Sequence, residues 1–317
     1  MCGTTSCPRV ADEPARGLPA AGLARAVRPS RGREHACSGV LGVVPKFLDA
    51  QAEEGGLLAR HQKASLITRR HIIKGSSAQL PFVALNENLC RQVTSRVLST
   101  AKTEASDDGQ ALAVHRFDVD VMGQPHWGME DFCSLLGLRP QPSTTPPGNG
   151  IAKAMRDHVP GAQRLETFRQ LATTLLLTYA LRNADCHAKI LALRYTSRAN
   201  VHLSPTHDIL TTSVYAGFQH NPPAIEFMGR KTWVPGKNLQ KLIATTFGIR
   251  PKAQQQMVQA ISDAMADVAP FVRHAMVQHP GFEDIGKRLW LAWAEGVQGL
   301  RDQRVYAVGE WRAGEAF

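Results

Sequence analysis

Two carboxylates, Asp185 and Asp208, stand 23 residues apart, and the stretch between them reads as one β-hairpin. Residues 190–195 form a short apolar run, residues 196–200 are polar turn material, and residues 201–203 make a second short strand. A hairpin returns the chain to the end it left, so both acids sit at one end of the same ribbon, within reach of one ligand. Asn183, His187, Lys189 and His207 crowd the same end. Upstream, Leu165, Phe168, Ala172, Leu175 and Tyr179 follow 3,4,3,4 spacing, which predicts an amphipathic helix with that stripe buried. Such a helix delivers Asn183 and Asp185 to the surface from a rigid base.

Composition bounds the rest. A chain of 317 residues is long enough for two subdomains with cores of their own. The apolar run around residues 175–181 falls short of the ~20 residues that cross a bilayer, and no signal-peptide pattern is present, so a cytoplasmic location and no membrane are expected. Cys2, Cys7, Cys37, Cys90, Cys133 and Cys186 are scattered without a CxxC, which indicates neither a zinc site nor a disulfide framework. A net charge of +10 points to polyanionic company: nucleic acid, a nucleotide or an acidic partner.

In chain order, residues 1–37 are rich in Ala, Pro, Gly and Arg with no hydrophobic period and read as a disordered tail. Residues 38–48 follow, including Leu41, Gly42, Val43, Val44 and Lys46; two glycines and a lysine inside a β-like run suit a loop whose N–H groups approach phosphate. Taken alone, a glycine-containing strand turn explains that run as well. Residues 71–74 predict a strand ending in an inward lysine, Lys74. Asn86 reads as the N-cap of a helix carrying Leu89, Val93 and Val97. Glu87 then lies in the first turn, placed either to complement the helix dipole or to orient Lys74. Residues 101–110 read as a polar loop and residues 111–118 as a buried strand in the position of a hinge. A Pro/Gly-rich loop spans residues 141–150, and helices dominate beyond it. Met257, Ile261, Ala264 and Val268 make one stripe, broken at Pro270; Phe282, Ile285, Leu289 and Trp293 make another, with Trp290 and Trp293 read as core anchors.

These parts, in this order, resemble the HipA family of serine/threonine kinases, toxins of bacterial toxin–antitoxin modules. The resemblance runs from about residue 38 to residue 215 and more loosely to residue 300. Residues 42–46 match the family's glycine-containing ATP loop, residues 71–74 its lysine strand, and Asn86 with Glu87 the pair that opens the next helix. Residues 111–118 correspond to its adenine-contacting strand, residues 148–153 to a glycine-rich stretch before the C-lobe helices, residues 183–189 to the catalytic loop, and residues 203–212 to the metal-binding segment.

The resemblance implies an α+β, protein-kinase-like two-lobed fold: a tail over 1–37, a small β-rich N-lobe over 38–126, and a larger helical C-lobe over 127–317. It implies ATP and Mg²⁺ as cofactors, Asp185 as the base or hydroxyl-orienting group, and Asp208 as the magnesium ligand. Leu41, Gly42, Val43, Val44, Lys46, Lys74, His115, Phe117, His187, Lys189 and His207 are the implied nucleotide contacts. The implied partners are a protein substrate, such as an aminoacyl-tRNA synthetase or other translation factor, and a HipB-like DNA-binding antitoxin through which any DNA contact is indirect.

Three positions depart from the family pattern. Ile190 stands where the family has a metal-ligating Asn, His115 where it often has Glu, and only a short tail stands where family members carry an N-terminal β-rich domain. Ile190 opens a second reading, a catalytically weakened pseudokinase that binds nucleotide or antitoxin. A metal phosphohydrolase built on His207 and Asp208 is disfavoured because Pro205 and the hairpin put that pair at a strand end rather than on a helix. A charge-driven nucleic-acid binder lacks any recognition motif.

Overall fold

The computed structural model describes residues 65–138, 148–226, 231–233 and 236–301. The expected tail and phosphate loop lie outside these, as does most of the Pro/Gly-rich stretch.

Four short strands form the first sheet: β1 (Ser65–Ile67), β2 (His71–Gly75), β3 (Thr103–Ala105) and β4 (Ala111–His115), in the order β1-β2-β4-β3 and all antiparallel. β2 and β4 pair His71 with His115 and Lys74 with Leu112. β3, within the segment that reads as a polar loop, is a three-residue edge strand. Its Thr-Glu-Ala sequence has no apolar alternation because both faces of an edge are largely wetted.

Helix α1 (Val83–Thr94) straddles two cores. Ala84 packs with Leu112, Val114 and Ala101 beneath the sheet, while Leu85, Leu89, Cys90 and Val93 join the large helical core. The helix starts earlier than its sequence reading: Phe82, in the left-handed region at φ 53°, is the residue before the first turn. Asn86 is therefore an interior residue and not a cap.

The second sheet is β5 (Gly128–Asp131), β6 (Ala192–Ser197) and β7 (Asn200–Leu203), antiparallel in that order. β6 and β7 are the expected hairpin. Around it pack α2 (Phe132–Leu135), α3 (Gly148–His158), α4 (Gly161–Ala180), α5 (Gly236–Thr246), α6 (Pro251–Gln278) and α7 (Glu283–Arg301). The expected glycine-rich stretch at residues 148–153 is already the first turns of α3.

α4 is the centre of this half. From Leu171 to Ala180 it is buried on every side, against α6 and α7, with Leu176 and Leu177 fully enclosed. Each such leucine stabilises the fold by about 1.5–3 kcal/mol. The predicted stripe holds at Phe168, Ala172, Leu175 and Tyr179 but not at Leu165, which is 58% exposed because the first turns of α4 extend past the core. α7 lies against the last turn of α4 at Gly296, where a Cβ would meet the Ala180 carbonyl oxygen at 2.1 Å. That close approach fixes the end of α4, and hence the loop that leaves it.

Pro270 does not break its helix; α6 runs through it for 28 residues. Proline removes one N–H and leaves the carbonyl four residues back, at Ala266, unbonded by it. Both residues are exposed, so water reaches that carbonyl while Val268, Ala269 and Val272 stay buried. Trp290 and Trp293 are core residues, as their spacing predicts.

Candidate active site

The last three residues of β2 are buried, and Lys74 among them is 5% exposed. Its ammonium donates to Glu87 Oε1 at 2.6 Å and forms a second ion pair with Asp208. Burial by itself would lower the lysine pKa, yet the two carboxylates outweigh it and raise the value above that of a free lysine. Glu87, on the second turn of α1, is 4% exposed. Of its two sequence readings, orientation of Lys74 is the one the coordinates bear out. A buried set of three charges is weak support for stability, because desolvation offsets much of the attraction. Such sets do concentrate where chemistry needs fixed charge.

Asp208 reaches this lysine from the far end of the hairpin. Its backbone is left-handed, at φ 53°, a conformation that Asp tolerates better than most residues. The segment around it is fastened to the small sheet twice. Thr206 bonds Ser99 and Ala101 through its main chain, at 3.0 and 3.1 Å. Thr211 exchanges two hydrogen bonds with the Asn86 amide: its N–H donates to Oδ1 at 3.1 Å and its carbonyl accepts from Nδ2 at 2.9 Å. Asn86 Nδ2 also donates to the Tyr215 hydroxyl, and Trp293 Nε1 donates to Thr211 Oγ1. Asn86 and Thr211 are both fully buried. Sequence reasoning missed this rivet; the only signal for it was a polar amide on the buried stripe of α1.

The second acid sits in the turn after α4. Asn183 Oδ1 accepts from the Asp185 amide at 3.0 Å, an Asx turn that fixes the backbone of Asp185, itself 6% exposed. His187 Nε2 lies 3.5 Å from Asp185 Oδ1, while His187 Nδ1 accepts from the Lys189 amide. That acceptor role puts the proton of the neutral ring on Nε2, the nitrogen facing Asp185. Burial pulls the imidazole down to about 4, against the opposing pull of Asp208, so the ring is neutral at pH 7. Asp185 thus lies beside this imidazole, and the charge of Asp208, ion-paired to Lys74, acts on the same ring.

The remaining expected contacts divide. Phe117, just past β4, brings its ring to 5.3 Å from that of His207, so the segments that follow β4 and β7 meet there. His207 Nδ1 bonds the Pro205 carbonyl oxygen. His115 instead pairs with Glu104 at 3.0 Å and stacks edge-on with His71, toward the exposed edge of the sheet. Lys189 is half-buried beside His187, and its charge is felt at Cys133. Leu41, Gly42, Val43, Val44 and Lys46 lie outside the described residues. Ile190 is 8% exposed and belongs to the core, lining a small cleft with Asn183, Cys186, Thr206 and His207.

Comparison with known proteins bears on the family and the fold. A protein named "Putative kinase Y4dM" from Sinorhizobium fredii is 34% identical over 109 residues. That match covers 34% of this chain and only a quarter of the relative's length. HipA in the Shewanella oneidensis MR-1 complex of HipA, HipB and operator DNA superposes with a TM-score of 0.58 at 16% identity, over 78% of this chain and 60% of that one. The Helicobacter pylori proinflammatory kinase CtkA gives 0.50 at 14% identity, over 80% and 94%. The fold is kinase-like, a small sheet over a larger helical part. Residues 38–269 match the family described as HipA-like C-terminal domain, and the chain belongs to that family.

Proposed function

We propose that this chain is a HipA-type protein serine/threonine kinase, which transfers the γ-phosphoryl group of ATP to a protein hydroxyl as the toxin of a toxin–antitoxin pair. The observation that carries the reading is the buried Glu87–Lys74–Asp208 set with Asp185 and a neutral His187 beside it. Lys74 binds the α- and β-phosphates and is held extended by Glu87. Asp185 orients the acceptor hydroxyl and takes its proton as the new O–P bond forms, and ADP leaves with the bond to its β-phosphate oxygen broken. Nε2–H of His187 donates to a phosphoryl oxygen. Phe117 and His207 flank the adenine end.

The donor set fits magnesium in part. Mg²⁺ takes one or two carboxylates and completes its shell with substrate phosphates and water, so Asp208 suffices for one protein ligand. The second expected ligand position is Ile190, which has no donor atom. Magnesium, when bound, neutralises charge on the transferring phosphoryl group.

The HipB-bound neighbour supports a DNA-binding antitoxin as partner, with DNA reached through it. No helix among the described residues is long and apolar enough to cross a membrane. The substrate we propose is a translation factor such as an aminoacyl-tRNA synthetase, met in the cytoplasm. Phosphoproteomics of cells expressing wild type beside Asp185→Ala tests the reading: sites gained only with wild type support it, and identical phosphoproteomes overturn it.

The burial of Ile190 favours a second reading, a pseudokinase that binds nucleotide or antitoxin without turnover. Under it, Ile190→Asn gains transfer from labelled ATP where wild type has none.

A further inference from the structure

Two consecutive threonines, Thr211 and Thr212, follow Asp208 by three and four residues, and they face opposite ways. Thr211 is consumed by Asn86 and Trp293. Thr212, 5% exposed, turns to the catalytic loop. Its Oγ1 donates to the Arg182 carbonyl oxygen at 3.0 Å and accepts from the Ala184 amide at 2.9 Å. Its own N–H adds a bond to the same carbonyl at 3.3 Å. One hydroxyl therefore spans the peptide units on either side of Asn183, and Ala184 immediately precedes Asp185.

The span sits where the chain needs holding. Arg182 has φ 54°, the left-handed region that a side chain with a Cβ rarely adopts. The cap of α4 at Leu181 ends the helix, and the chain must reverse within two residues to aim Asp185 at the cleft. A hydroxyl that is donor to one strained peptide and acceptor from the next fixes that reversal in one geometry, which no apolar side chain of the same size reproduces.

We infer that Thr212 is a positioning residue for Asp185, locking the catalytic loop to the segment that carries Asp208 so that the spacing of the two acids is set by one hydroxyl. The inference rests on the kinase reading for its effect on turnover and on geometry alone for its effect on the loop.

Two readouts in the full-length chain separate these. Thr212→Val keeps the volume and deletes both side-chain bonds; Thr212→Ser keeps both. In phosphoryl transfer from labelled ATP, Thr212→Val is expected to lower kcat roughly ten- to a hundredfold, with the KM for ATP nearly unchanged, and Thr212→Ser to recover most of it. In amide hydrogen exchange, the Val variant is expected to speed exchange in residues 182–189 while α6 and α7 stay protected, and the Ser variant to restore the loop. A general structural role would instead raise exchange across the helical core or raise KM along with the fall in kcat, and either result overturns the inference. So does wild-type exchange in residues 182–189 of the Val variant. If wild type transfers no phosphoryl group, the kinase reading fails, while the exchange arm still decides whether Thr212 holds the loop.

Discussion

Across the cleft, two sets of side chains answer each other and are built on different terms. On one wall the buried Lys74 and Glu87 and the part-buried Asp208 form one ion-paired group, contributed by β2, α1 and the segment after β7. On the other wall, Asp185 shares its turn with a neutral imidazole and with Ile190, an apolar side chain packed into the core. The charged wall is redundant in its support: Asn86, Thr206 and Thr211 each tie it to a neighbouring element. The catalytic-loop wall leans on an Asx turn at Asn183 and on one long-range tie, the Thr212 hydroxyl that bonds either side of it. On the proposed kinase reading, the charged wall supplies the phosphate-binding lysine, and Ile190 on the opposite wall offers no donor to a metal.

Removing the cation from the charged wall should produce the largest effect on stability. Lys74→Met leaves Glu87 buried and Asp208 part-buried without their counter-charge, and breaking a buried pair costs about 3–5 kcal/mol. Denaturant unfolding of the variant measures it; a loss below about 1 kcal/mol would mean that the ion pairs do not order this wall.

The rivet beneath that wall comes next. Asn86→Leu removes the partner of both main-chain groups of Thr211, and leaving buried polar groups unsatisfied costs about 1–3 kcal/mol. Because Thr212, next to Thr211, ties the loop to this segment, the same variant should also speed exchange in residues 182–189. Unchanged exchange there would show that Thr212 holds the loop without help from Asn86.

Much of the catalytic-loop wall was legible from the chain, because its residues are contiguous. The hairpin announces itself by apolar runs either side of a polar turn, and the spacing of Asp185 and Asp208 follows from it. Lys74 was legible as the end of a short strand, though a lysine at a strand end is more often exposed than buried. The support of the charged wall was not. Asn86 meets Thr211 across 125 residues, and nothing local marks a buried asparagine as a long-range bridge when a helix N-cap explains it equally well. The true start of α1 at the left-handed Phe82 has no propensity signal either, and it moved both Asn86 and Glu87 into the helix interior. Short strands such as β3 and β5 escape pattern reading because a partner strand, not their own alternation, defines them.

Ile190→Asn sharpens the comparison from the other side. Restoring a donor should raise magnesium-dependent turnover, and burying an amide in place of an apolar side chain should cost about 1–3 kcal/mol of stability. Turnover equal to wild type, at matched protein and magnesium, would show that the loss of this ligand limits nothing.

The smallest effect is on pH dependence. His187 has its pKa lowered to about 4 in the fold, below the ordinary ~6.5 of the unfolded chain. Between these values the unfolded state binds more protons, so stability rises with pH there. The contribution is present above the unfolded value and is lost as pH falls toward about 4. Denaturation midpoints between pH 4 and 7 should therefore slope less in His187→Gln than in wild type, and equal slopes would contradict a buried, neutral ring.

The central claim is that Asp185 acts on the acceptor while the opposite wall holds the nucleotide. Its most direct test is phosphoryl transfer from γ-labelled ATP with Mg²⁺, comparing wild type with Asp185→Asn at equal nucleotide occupancy. The expected result is ATP binding of similar strength in both, with transfer reduced by roughly 10²–10⁴-fold in the variant. Transfer at the wild-type rate in Asp185→Asn, or loss of nucleotide binding together with loss of transfer, would contradict the assignment.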